Sequence, residues 1–90
     1  MLTKEVKIDK IEIIHTSAGY PMIQVRKATV ITDDGVEVGK SFHRHVVSPE
    51  STIDGSIVNE DKEVIDIAGV LFTGEAIDNW NAHKQAQENI

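Results

Sequence analysis

The stretch MIQVRKATVITDDGVEVGKSFHRHVV, residues 22–47, decides the fold of this 90-residue chain. Two runs rich in β-branched residues flank Asp33, Asp34 and Gly35, and an Asp-Gly pair between such runs is a strong signal for a β-hairpin. We expect Asp34 and Gly35 to form a two-residue turn with Gly35 at positive φ, so that Val25 lies opposite Arg44. One face of this hairpin then carries the apolar side chains and is predicted to be the core face: Ile23, Val25, Ile31, Val38, Phe42 and Val46.

The residues before the hairpin predict a first strand. EVKIDKIEII, residues 5–14, alternates like a strand, but its apolar positions change phase at Asp9 and Lys10. Because side chains on a strand point alternately to the two faces, this change predicts a bulge. HTSAGYP, residues 15–21, is rich in small residues and predicts the connection to the next strand.

The C-terminal half has a helical period. Apolar residues recur at helical spacing over residues 59–72 and again over residues 74–87, so each stretch predicts a helix. Asn59 is expected to be the N-cap of the first helix and Thr73 the N-cap of the second. Trp80, the large aromatic of the second helix, is expected to be largely buried.

Together these elements predict an α+β fold, a three-stranded antiparallel meander followed by two helices packed on one sheet face. Ninety residues are expected to form a single domain. Within it, residues 1–48 form the meander, residues 49–58 a linker, and residues 59–90 the two helices with a frayed tail.

Charge is distributed unevenly along the chain. The net charge is −6, with +1 on residues 1–45 and −7 on residues 46–90. General nucleic-acid binding requires a basic footprint, which the chain as a whole lacks, so the partner is expected to be a protein or a second copy. The sequence has no cysteine and no apolar run long enough for a membrane span. A soluble protein is therefore expected, either cytoplasmic in a host cell or associated with a virion.

The string SFHRHVVSP, residues 41–49, carries the candidate site. On the predicted strand, His43 and His45 project to one side and Arg44 to the other. The register expected for the hairpin places the histidines on the open face of the sheet, near Arg26. Arg26, His43 and His45 are therefore the predicted binding residues, forming a basic spot on an acidic protein.

The same histidine pair raises metal binding as an alternative. Two imidazoles at i, i+2 on a strand can chelate a first-row transition metal. A zinc site, however, usually requires three or four ligands. The pattern therefore favours an exposed pair without a metal or other cofactor, and a metal site at His43 and His45 stays open.

Residues 23–49, IQVRKATVITDDGVEVGKSFHRHVVSP, resemble stretches of small uncharacterised proteins encoded by tailed bacteriophages. The similarity is carried by Arg26, by Ala28-Thr29, by Asp34-Gly35, by the run from Ser41 to Val46 and by Pro49. It covers about a third of the chain. The resemblance implies a phage genome and a role in a virion or its assembly, without implying a specific activity.

The sequence favours a non-enzymatic interaction or assembly module, phage-derived, that self-associates or docks to a larger complex. No phosphate-binding glycine loop, nucleophile elbow or metalloprotease helix motif is present. One alternative is an acidic inhibitor that occupies a nucleic-acid-binding site of a host protein. A second alternative is a small metal-binding protein that uses His43 and His45.

Overall fold

A computed structural model describes residues 1–88, and its sheet contains the predicted hairpin. Strands β2 (Pro21–Asp33) and β3 (Val36–Val47) are joined by Asp34 at φ 50° and Gly35 at φ 84°. Two successive residues at positive φ form the type I′ turn that matches the twist of the flanking strands. Strand β1 (Leu2–His15) pairs with β2, which gives the antiparallel order β1-β2-β3.

Helices follow the sheet, so the α+β prediction is confirmed. They are α1 (Glu50–Ile53), a 3₁₀ helix (Ser56–Asn59), α2 (Lys62–Leu71) and α3 (Gly74–Glu88). None of the helices in residues 1–88 combines the length and the apolar composition needed to cross a bilayer.

The start of the second helix was predicted correctly and that of the first was not. The Thr73 Oγ1 atom accepts a hydrogen bond from the Ala76 amide at 3.3 Å, as expected for an N-cap. Asn59, by contrast, ends the 3₁₀ helix, and α2 begins after Asp61, whose extended backbone is that of an N-cap residue. The predicted frayed tail is helical as far as Glu88, and residues 89–90 lie outside the described part.

The predicted linker is largely ordered. Most of residues 49–58 lies in α1 and the 3₁₀ helix. Asp54 Oδ1 accepts a hydrogen bond from the Ser56 amide at 2.8 Å, and Gly55 takes a left-handed conformation between the two helices. These local bonds stabilise short helical turns that have too few apolar residues to give a periodic signal.

The described chain forms two compact units. The sheet unit consists of Met1–Glu12 and Gln24–Val46, and the helical unit of Ile13–Ile23 and the chain from Val47 onward. The loop between β1 and β2 therefore belongs with the helices. The predicted division placed residues 13–23 with the sheet, in residues 1–48. Nothing in the local pattern of these residues reveals that they pack with the helices.

Most of the buried apolar side chains belong to the helical unit: Tyr20, Ile23, Val47, Val64, Ala68, Phe72 and Ala76. The ring of Trp80 packs edge-on against Tyr20, with the ring centroids 5.1 Å apart. Its indole Nε1 donates a hydrogen bond to Glu50 Oε2 at 2.8 Å. Trp80 is of intermediate exposure, because its polar edge meets a carboxylate at the surface while Tyr20 takes the interior position.

The loop before β2 is held to α3 by a contact that excludes a side chain at position 19. Gly19 has φ 88°, and its carbonyl accepts a hydrogen bond from Asn79 Nδ2 at 2.8 Å. A Cβ atom at this position would lie 2.7 Å from the same nitrogen. Glycine is therefore required for both its backbone conformation and the close approach.

The core-face prediction is wrong for most of the sheet unit. Ile23 and Val25 are buried, as expected, but the other four residues are exposed by 37 to 59 per cent: Ile31, Val38, Phe42 and Val46. Burial along β2 passes from Val25 to Ala28, a spacing of three that interrupts strict alternation. The Arg26 guanidinium lies over the Phe42 ring, so Phe42 shares a face with Arg26 and not with Val25. A phase shift of one residue reverses the side chains beyond it, which accounts for the exposed positions.

We predict that Gly19→Ala lowers the free energy of unfolding by about 2–3 kcal/mol, as measured by urea denaturation. The left-handed backbone disfavours a Cβ, and the contact with Asn79 would be displaced. Gly55→Ala is the matched control, because Gly55 has φ 81° but no atom within 4 Å of the added Cβ. It should cost only about 1 kcal/mol. Equal effects of the two substitutions would show that the contact with Asn79 contributes nothing.

A second prediction concerns the loss of stability at low pH when Glu50 is protonated. Hydrogen bonds from Lys84 and Trp80 lower the pKa of Glu50 below its ordinary value. Its carboxylate form therefore stabilises the fold above the pKa of the unfolded chain, and this contribution is lost as the pH falls through the lower folded pKa. Fluorescence of Trp80, the single tryptophan, should change in this acid range. Glu50→Gln should remove that step, whereas Glu63→Gln should keep it, and a step unaffected by Glu50→Gln would contradict the assignment.

Candidate protein-binding face of the sheet unit

Arg26 is held in position from two directions. Its Nε donates to Asp9 Oδ1 at 3.0 Å and its Nη2 to Asp9 Oδ2 at 2.8 Å, which makes a bidentate pair. The guanidinium carbon lies 4.3 Å from the centroid of the Phe42 ring. The side chains of Arg26 and Asp9 are only 27 and 19 per cent exposed, so the pair is partly shielded from water.

A groove of about 250 Å³ opens beside Arg26, within the sheet unit. Its lining comes from all three strands: Lys10, Glu12, Gln24, Val25, Arg26, Arg44, His45 and Val46. Phe42, Arg44 and Val46 alternate along β3 and so project to one side, and Lys40 lies 5.4 Å from the Phe42 ring centroid. We call this surface, formed by the groove and by Lys40 and Phe42 next to it, the Arg26 face.

Charges on the Arg26 face are only partly balanced. Asp9 neutralises Arg26, and its own pKa is lowered by the hydrogen bonds from that arginine. Lys10 Nζ lies 2.6 Å from Glu12 Oε1 and lowers the pKa of Glu12, with a smaller contribution from Arg44. Within residues 1–88, Arg44 makes no ion pair. The face therefore has an excess of positive charge and an exposed guanidinium that can bind a carboxylate.

The predicted binding residues are only partly brought together. Arg26 and His45 line the same groove. His43 stacks on His45, with ring centroids 6.4 Å apart, but is not among the residues that line the groove. The expected grouping of Arg26 with both histidines, opposite Phe42, is corrected by the contact of Arg26 with Phe42. Arg44, predicted on the core face, is exposed on the Arg26 face.

A metal site at His43 and His45 stays a prediction. The stacked rings supply two nitrogen ligands from one strand. Among the residues that the structure describes, no group of three or more His, Asp and Glu side chains is arranged to hold a metal. A closed zinc site at this pair would therefore need ligands from outside the described chain.

Sequence reasoning missed the roles of Glu12 and Phe42 on the Arg26 face and of Asp9, which holds Arg26 in position. Asp9 was assigned to a bulge, Glu12 was not assigned any role, and Phe42 was placed in the core. Cation–π stacking and a bidentate pair between neighbouring strands leave no sequence signal until the register is known. The one available signal was the alternation of opposite charges along residues 4–12, which is unusual for a strand buried on one face.

Comparison of the chain with protein families, with curated proteins and with solved structures found no match.

Proposed function

We propose that the protein is a non-enzymatic interaction module that self-associates or docks to a larger protein assembly through the Arg26 face. The observation that carries this proposal is the exposed apolar surface of the sheet unit. Eight of its large apolar side chains are more than a third exposed, and Phe42 and Val46 of the Arg26 face are among them: Met1, Leu2, Val6, Ile31, Val36, Val38, Phe42 and Val46. Exposed apolar surface is a common feature of protein interaction sites, and it supports this proposal.

The burial within the sheet unit supports the same function. Its buried apolar residues are Val25 and Ala28, both small. Phe42 is 50 per cent exposed and Val46 is 54 per cent exposed, although aromatic and aliphatic side chains gain free energy when they leave water. A partner that covers the Arg26 face would supply this missing burial.

The chemistry of the Arg26 face also suits protein recognition. Arginine and aromatic residues are enriched in the centres of protein interfaces, and here Arg26 is stacked on Phe42 before any partner arrives. A side chain that is already positioned loses less conformational entropy on binding. The phage context suggested by residues 23–49 would make the partner a component of a virion or of its assembly.

We expect Phe42→Ser to weaken association while the protein stays folded, because Phe42 contributes exposed rather than core surface. Light scattering and sedimentation over a wide concentration range measure self-association, and circular dichroism monitors folding. Leu2→Ser is the matched control and should leave association unchanged, because Leu2 lies outside the Arg26 face. Leu2 is 65 per cent exposed but lies at the turn end of the sheet, beside Met1, whose amine contacts Asp33 and Asp34.

Two results together would contradict the proposal. The wild-type protein would be monomeric at every concentration, and it would retain no protein from a lysate of its source in a manner that Phe42→Ser abolishes. A monomeric protein whose Phe42-dependent binding to another protein persists would leave the proposed function intact.

The helical unit favours a second candidate function, the acidic inhibitor. Its sequence has nine Asp and Glu residues but only two lysines, a net charge of −7. Such a surface can occupy a nucleic-acid site on a host protein. Binding would then weaken steeply with added salt and would be competed by DNA, whereas binding through the Arg26 face would be insensitive to DNA.

A further inference from the structure

We propose that the occupant of the Arg26 face is the helical unit of a second copy of this chain, bound head to tail through carboxylates on α2. This inference rests on the proposed function and specifies the partner. Its carrying observation is that one chain bears two surfaces of opposite charge and similar apolar character.

The first surface is cationic and has been described above. The sheet unit has seven Lys and Arg residues and six Asp and Glu residues, a net charge of +1. Two of its acidic residues, Asp9 and Glu12, are already engaged by Arg26 and Lys10. The guanidinium of Arg44 at the groove is therefore available for a carboxylate from outside, and Phe42 and Val46 provide apolar surface next to it.

The second surface is a stripe on α2, formed by Glu63, Asp66 and Val70. These residues are spaced by three and four positions, so they lie on one side of the helix. All three are exposed, Val70 by 75 per cent. Lys62 pairs with Asp66, whereas Glu63 makes no ion pair within the described part of the chain. The stripe thus presents one unneutralised carboxylate and one aliphatic side chain.

These two surfaces complement each other in both charge and hydrophobicity. Arg44 can bind the carboxylate of Glu63 in a bidentate manner, and Val70 can cover the ring of Phe42 or the side chain of Val46. A nucleic acid fits the groove less well. The groove carries Glu12 among its basic residues, and the chain has an overall charge of −6.

A contact between two different surfaces has a consequence for assembly. It is heterologous, so a bound pair still has one unused stripe, on the copy that contributes the Arg26 face, and one unused Arg26 face, on the other copy. Association then continues until a ring closes, or it produces an open filament. A contact of the Arg26 face with itself would stop at a dimer.

Charge reversal tests the contact. We expect Arg44→Glu and Glu63→Arg each to weaken self-association by about tenfold or more, because each places like charges together. Lys4→Glu and Asp78→Lys are the matched controls, since they reverse exposed charges on the sheet unit and on α3 outside both surfaces. The double variant Arg44→Glu/Glu63→Arg should restore association in a single chain. Circular dichroism establishes that every variant is folded.

A mixture of two variants, each with one of the two surfaces disabled, provides the decisive experiment. Phe42→Ser disables the Arg26 face, and Val70→Asp disables the stripe. Each variant alone should be monomeric, and an equimolar mixture should form a complex that stops at two chains, because one intact surface of each kind remains.

The possible outcomes separate this inference from the proposed function. If association depends on Phe42 but the mixture stays monomeric and the double charge reversal restores nothing, the Arg26 face binds something other than the stripe. The inference is then overturned while the proposed function stands. A wild-type protein that is monomeric throughout also overturns the inference. Retention of DNA by the wild-type protein, lost in Arg44→Glu, would assign the groove to nucleic acid and overturn it as well.

Discussion

The contact between Tyr20 and Trp80 is the interaction on which the fold of the helical unit depends. It joins a short loop between two strands to the last helix, and the nearby bond from Asn79 to the Gly19 carbonyl spans 60 residues of sequence. Through this contact the loop contributes an aromatic ring to a core whose other buried side chains, apart from Phe72, are aliphatic. Contacts between such distant residues are costly in loop entropy and must be repaid by burial, which Tyr20, at 8 per cent exposure, supplies.

Local signals in the sequence were sufficient for the turn, the three strands and the cap of α3. Asp34-Gly35 and Thr73 act through their own backbone and side-chain geometry, so neighbouring residues determine the result. The prediction of the core face was wrong for a different reason. Alternation predicts a face only while the phase is kept, and the interruption between Val25 and Ala28 transfers Phe42 to the exposed side. The polar contacts of Trp80 and Lys84 with Glu50 join residues 30 and 34 positions apart, and no local pattern reveals them.

The candidate site was anticipated in part by the same reasoning. A basic spot around Arg26 on an acidic protein follows from composition and from the strand pattern. The contacts that hold Arg26 in place do not follow from the sequence. Asp9, Arg26 and Phe42 come from three different strands and meet only when the register of all three strands is correct. Arg26 alone would be a flexible surface cation. Asp9 and Phe42 convert it into a rigid part of an apolar surface, and this leaves Arg44 as the group that can respond to a partner's charge.

The order β1-β2-β3 places β1 and β3 at the two edges of the sheet, and within residues 1–88 each has a sheet neighbour, β2, on one side only, along the 14 residues of β1 and the 12 of β3. Unpaired strand edges invite the uncontrolled stacking of identical chains that leads to amyloid. In β1 the charged residues follow one another closely: Lys4, Glu5, Lys7, Asp9, Lys10 and Glu12. Identical strands stacked in register would place each of these charges against its own copy. The charge pattern of β1 thus disfavours aggregation through the backbone while leaving the side-chain faces of the sheet open to specific contacts.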